Sequence, residues 1–223
     1  AALIANGAYA EAATLAAARL RRNPDDAALR ARTTEAALNA YVPRWIDRVE
    51  ARDFDGARRA LAELKVFERD AADLRPLVAA LDWQADLVRL ATTQGGADAA
   101  IRIYADEAPI RAILKRWDDD AQGLQRALAR IAAQVRAFQA PHAEALTHLR
   151  RLQSDSRVYL PAIERLQAAI AAALERDDPG ALRPLLAEYA QKYPRLGGLD
   201  AIERDLRLDE ALLAELRASN FGR

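Results

Sequence analysis

The chain contains no cysteine and no methionine, and its only lysines are Lys65, Lys115 and Lys192. Without cysteine there are no disulfides, no thiol nucleophile and no cysteine-ligated metal. That fits an oxidising compartment and leaves the cytoplasm open. The missing methionine, absent even at position 1, points to a processed, excised or edited form. Aromatic residues are scarce, at 6%. Neither sign of charge is in excess, because 33 basic residues cancel 33 acidic ones. Such a balance argues against non-specific binding to a polyanion, so no nucleic-acid partner is expected. No run approaches the ~20 apolar residues of a membrane span, and no signal peptide is visible. No membrane insertion is therefore expected of this stretch, and the compartment is expected to be cytoplasmic or periplasmic.

What is present favours helices packed against helices. Hydrophobic residues reach 52%, many of them alanine, which has the best helix propensity and little bulk. Periodicity and punctuation predict a helix from Ala8 to Arg22, stopped by Asn23-Pro24, and a second from Ala27 to Tyr41 behind the capping Asp25-Asp26. Pro43 predicts a break and a fresh start, because proline lacks the backbone donor and clashes with the preceding turn. Further helices are predicted over Gly56–Phe67, from Leu74 to Ala91, around Ile110–Trp117, and over Pro179–Lys192 and Leu199–Arg217. Ile101 to Tyr104 alternates and carries the one strand signal. Thr92 to Gly96 reads as a flexible connector.

In the second half Leu124, Leu128, Ile131, Val135, Phe138, His142, Ala145, Leu149 and Leu152 alternate in spacings of four and three, a heptad seam in which only His142 is polar. A helix over Ala121–Gln153 would be roughly 50 Å long, kinked or split at Pro141. Tyr159, Ile163, Leu166, Ile170 and Leu174 continue the spacing beyond Ser154-Asp155-Ser156, which predicts two arms of an antiparallel hairpin. The expected organisation is a helical array over 1–94, a connector and short helix over 95–120, and the hairpin with a terminal helix pair over 121–223.

Three stretches resemble one another. When Gly7 is placed on Asp177, Pro24 falls on Pro194; the first stretch carries Gly7, Tyr9, Ala12 and Pro24, the last carries Asp177, Leu182, Leu186 and Pro194, and Arg52, Phe54, Ala57 and Leu61 begin in the same way. A small residue lets paired helices approach, an aromatic fills the wedge between pairs, and the proline ends the helix. On these residues the chain resembles the tetratricopeptide repeat family. Gly7 to Arg52 is longer than the roughly 34-residue period of that family, so the match is partial. The resemblance implies an all-α fold of antiparallel helix pairs stacked as an irregular, repeat-like α-solenoid. It also implies a role in bacterial multiprotein assemblies, of the envelope or secretion type. Tyr9, Trp45, Phe54 and Tyr104 would shape the array. A concave face of stacked helices would hold a peptide or partner helix through apolar anchors and arginine–carboxylate pairs. Arg32, Arg44, Arg48 and Trp45 are the candidate partner-binding residues.

Chemistry-bearing motifs are sparse. His142 and His148 lie six apart, which puts them on different helix faces and off the three- or four-residue spacing of a zinc helix. Asp118-Asp119-Asp120 and Asp177-Asp178 lack the spacing of a calcium loop and read as helix caps. Gly95-Gly96 lacks the residues of a phosphate loop. The basic pairs Arg21-Arg22, Arg58-Arg59 and Arg150-Arg151 sit near helix ends, where they complement the dipole. No catalytic residue, metal site or cofactor is expected. The expected function is a non-enzymatic protein–protein interaction scaffold. The alternatives are a self-associating helical spacer, dimerising through the heptad hairpin, and an accessory domain of a larger enzyme or membrane protein.

Overall fold

The structure, a computed structural model, describes residues 2–93, 100–102 and 107–220. Tyr104 and the Gly95-Gly96 connector lie outside the described residues. Among the described residues the chain is all-α, and no helix is long and apolar enough to cross a membrane. Its helices are α1 (Ala2–Ala5), α2 (Tyr9–Leu20), α3 (Ala27–Glu50), α4 (Phe54–Lys65), α5 (Leu74–Thr93), α6 (Glu107–Gln134), α7 (Gln139–Glu175), α8 (Leu182–Lys192) and α9 (Leu199–Asn220). Two-residue strands, β1 (Ile101–Arg102) and β2 (Leu196–Gly197), pair in parallel. The chain forms two compact units, one of residues 1–92 and 112–150, the other of 93–111 and 151–223.

Side-chain capping fixes two of the helix starts. Asp26 accepts the Leu29 amide at 2.8 Å and opens α3, and Asp53 accepts the Gly56 amide at 2.8 Å and opens α4. Each satisfies an amide that the first turn leaves without a helical partner. Within the acidic run Asp118–Asp120, Asp120 acts in the same way. Asp120 departs from helical geometry inside α6, and its carboxylate accepts the Gly123 amide at 2.9 Å.

Three corners share one geometry, and they fall where the three stretches of sequence align. Gly7, Arg52 and Asp177 have φ of 75°, 60° and 54°. In each case two amides reach back over the end of the preceding helix. Gly7 and Ala8 reach Ile4 and Leu3, Arg52 and Asp53 reach Val49 and Arg48, and Asp177 and Asp178 reach Leu174 and Ala173. This is the Schellman arrangement, with the left-handed residue just past the cap. Two positions after the left-handed residue the next helical segment starts. Arg52 and Asp177 hold a conformation that favours glycine, so the corner is set by these bonds rather than by residue type.

In the first unit α2 and α3 pack closely through small residues. Ala12, Ala13 and Ala17 are buried on one helix, and Ala36 and Ala37 on the other. Arg44 pairs with Glu63 and Arg48 with Asp53, so α4 runs antiparallel to α3. Arg116 reaches Asp82 and Asp86, and Arg130 reaches Asp73, which sets the 112–134 part of α6 antiparallel to α5. Trp83 is fully buried, stacks on Trp117 with centroids 5.3 Å apart and donates from Nε1 to the Ile113 carbonyl at 3.2 Å. In the second unit Tyr189 and Tyr193 lie 4.9 Å apart, and Tyr159 lies 6.2 Å from Tyr193. Arg165 donates to the Tyr193 hydroxyl, and Arg195 pairs with Asp155 at 2.7 Å. Gly197 admits the strand pair, since a Cβ there would lie 2.9 Å from the Ala100 Cβ.

Two prolines act differently from the sequence expectation. Pro43 lies inside a continuous α3. The missing hydrogen bond is outweighed by burial on both sides of it, at Leu38, Val42, Trp45, Ile46 and Val49. The break near Pro141 instead falls upstream, where Val135 is extended (φ −118°, ψ 100°) and a 3₁₀ turn covers Arg136–Phe138. Pro141 thereby sits in the first turn of α7, where its missing donor costs nothing. There is likewise no turn at Ser154–Ser156, because α7 runs through it. The seam residues Leu128, Ile131, Val135, Phe138, Ala145, Leu149, Ile163 and Leu166 are buried within the chain. A dimer through Leu128 and Val135 would have to unpack them.

Asp70 and His142 are among the groups that set an acid response. Arg21 forms a fork of hydrogen bonds, 2.8 to 3.1 Å, with Asp70, whose side chain is 5% exposed. The guanidinium hydrogen bonds hold the Asp70 carboxyl below its ordinary range, against the opposing effect of burial. His142 lies against Phe138, its Nδ1 buried without a partner, and burial lowers its pKa. Both folded-state values lie below the unfolded ones, so both contributions are complete at higher pH and shrink on acidification. The His142 contribution is expected to decline below about pH 6.5, and that of Asp70 below about pH 3.9. Thermal melts against pH should show both steps. Arg21→Gln should shrink the lower one and His142→Phe remove the upper one. A melting temperature flat between pH 7 and 5 would contradict the His142 assignment.

Candidate functional site

Two helical stripes face each other across α3 and α4. On α3 and its C-cap the residues are Arg44, Asp47, Arg48 and Ala51, and on α4 they are Gly56, Arg59, Ala60 and Glu63. Both sets fall at i, i+3, i+4 and i+7, the spacing of one helix face. The antiparallel pairing leaves a groove of about 520 Å³ between them. Alanine and glycine keep its floor low. A Cβ on Gly56 would lie 2.1 Å from Asp53 Oδ2 and 2.9 Å from Arg48 Cδ, so this glycine lets the arginine stem cross the start of α4.

The three guanidinium groups of the groove are held differently. Arg48 donates to Asp53 Oδ2 at 3.0 Å, while the other oxygen of that carboxylate caps α4. The Gly56 amide is the main cause that holds the Asp53 carboxyl below its ordinary range. Arg48 and the more distant Arg59 add to it, and burial opposes them. Arg48 is thus committed to the corner. Arg44 makes only a long contact of 3.4 Å with Glu63 and lies 5.7 Å from the centroid of the Tyr41 ring. Arg59 has no ion pair among the described residues. Arg44, Arg48 and Arg59 line the groove beside the carboxylates of Asp47 and Glu63, and with Arg48 paired to Asp53 the charges balance, so Arg44 and Arg59 are the guanidinium groups left weakly held. Exposed guanidinium groups with weak internal partners can take a carboxylate in a two-bond fork at little desolvation cost.

Of the residues singled out in the sequence, the structure brings Arg44 and Arg48 together. Arg32 is exposed on the same helix but twelve residues earlier, about 18 Å along the axis, and does not line the groove. Trp45 does not join them. It is 1% exposed and lies 6.1 Å from Phe138, because position 45 is turned about 100° from Arg44, onto the core face. Tyr9 and Phe54 are half-buried. Arg59 was legible only as half of the Arg58-Arg59 pair. The signal that separates the two is its place in the Gly56, Arg59, Ala60, Glu63 stripe. Among the described residues no cluster of three histidine or acidic side chains could hold a metal. No family model matches the chain, and neither a curated protein nor a solved structure matches it.

Proposed function

We propose that the chain is a non-enzymatic interaction scaffold, and that the α3/α4 groove binds an acidic peptide segment of a partner protein. The groove with Arg44 and Arg59 weakly engaged or unpaired inside it is the observation that carries this reading. The fold proposed with it is an irregular, tetratricopeptide-like stack of antiparallel helix pairs. It is supported by the shared corner geometry at Gly7, Arg52 and Asp177 and by the antiparallel packing of α4 on α3 and of α6 on α5. Repeat scaffolds of this kind bind along a surface rather than in a closed pocket.

The test is the anisotropy of a fluorescent twelve-residue peptide rich in glutamate, titrated with the chain beside a lysine-rich control. Binding of the acidic peptide only, weakened by salt, is expected. Arg44→Glu with Arg59→Glu should weaken it by about tenfold or more, because like charges then face the ligand. These two are chosen because Arg48→Glu would also disturb the Asp53 cap. Equal binding of both peptides, or wild-type affinity in the double variant, would sink the reading.

A further inference from the structure

We propose a second, separate site in the first unit: a pocket that binds a primary ammonium group carried on an aliphatic chain. The pocket encloses about 290 Å³ where the end of α3, the second half of α5 and the start of α7 meet. Gln84, on α5, lines it and is 1% exposed. Its Nε2 donates to the Pro141 carbonyl at 3.1 Å, and Pro141 also lines the pocket. A carbonyl can only accept, so this bond fixes which way the amide faces. The atom left over is Oε1, buried without a hydrogen-bond partner. An unmatched buried acceptor is costly, and only a donor relieves it.

The surroundings define that donor. Glu50 and Glu144 line the pocket, and the C-terminal end of α3, with its negative dipole end, points towards it. Glu144 also lies 3.3 Å from His148 Nε2. The single opposing charge is Arg52, the left-handed residue of the corner. Two carboxylates and an orphan carbonyl against one guanidinium disfavour an anion and favour a cationic donor. Val49 and Val88 supply apolar wall. An alkylammonium satisfies all three elements. Its N–H groups serve Gln84 Oε1, its charge answers the glutamates, and its methylenes lie on the valines. The volume sits at the small end of ligand pockets and suits a short aliphatic chain. The site does not depend on the α3/α4 groove, which offers weakly held guanidinium groups instead.

The ammonium could come from a free diamine or from a lysine side chain, and the test separates them. The ¹⁵N-labelled 223-residue chain is titrated at constant ionic strength with 1,5-diaminopentane, with a capped lysine peptide and with 1-pentanol as the neutral isostere. Saturable shifts of the Gln84 side-chain NH₂ and the Val88 and Thr92 amides are expected with an amine and not with the alcohol. A tighter response to the diamine assigns a free amine, and a tighter response to the peptide assigns a partner's lysine. Glu144→Gln, an exposed substitution that leaves the core untouched, should weaken binding about tenfold or more. Gln84→Met should do so as well, and if that variant fails to fold, Glu50→Gln takes its place. No saturable shift up to about 10 mM amine, an equal response to pentanol, or unchanged affinity in Glu144→Gln would overturn the proposal.

Discussion

Trp83→Ala is expected to lower stability by about 3–5 kcal/mol. Trp83 is fully buried, and its ring covers Trp117 at an interplanar angle of 27°. The substitution removes three contributions together. Apolar surface is lost and a cavity remains, the ring pair disappears, and the Ile113 carbonyl loses the indole donor. Because domains hold only about 5–15 kcal/mol in total, much of the margin would go. Urea unfolding followed by far-UV circular dichroism measures the change. Trp83→Phe keeps much of the apolar volume and loses the hydrogen bond, so it should cost clearly less. Equal losses for the two variants would mean that the bond to Ile113, and not packing, dominates the site.

Phe138→Ala is the second, at about 3–5 kcal/mol. Phe138 is fully buried on the 3₁₀ turn between α6 and α7, 6.1 Å from the Trp45 ring and 6.0 Å from that of His142. It therefore anchors the break between two helices to α3, ninety-three positions earlier in the chain (138 − 45). Its removal should be visible in a second, independent way. The His142 ring would gain water, and its pKa would rise back towards about 6.5. An NMR titration of the histidine Cε1 protons measures this directly. A large loss of stability with an unchanged His142 titration would show that Phe138 holds the turn without shielding the histidine. Phe138→Leu should lose less on both counts, because most of the apolar volume stays.

The all-α class and most helix ends were legible because the devices that set them are local. Asp26, Asp53 and Asp120 cap helices with side chains that reach only three residues on, so a short window contains the whole interaction. The correspondence among Gly7, Arg52 and Asp177 was legible from spacing, although only one of the three is glycine. Arg44 and Arg48 were within reach because they lie one turn apart. What escaped was decided by packing between distant segments. Pro43 reads as a break until the buried residues on both sides of it are counted. Pro141 reads as a kink until the extended Val135 moves the break upstream. Trp45 reads as an anchor for a partner until Phe138 arrives to cover it. The Gln84 amide meets Pro141 across 57 positions, and no pattern in either segment announces the contact.

Binding of an acidic segment at the proposed α3/α4 site can be located residue by residue. The most direct measurement is a ¹H–¹⁵N titration of the chain with the glutamate-rich peptide, with the arginine Nε–H signals included. Saturable shifts are expected, clustered at Ala51, Gly56 and Ala60 and at the Nε–H groups of Arg44 and Arg59. The same shifts should be lost in the folded Arg44→Glu, Arg59→Glu variant. Shifts scattered over arginines throughout the chain, or a cluster that survives in that variant, would contradict binding at this site.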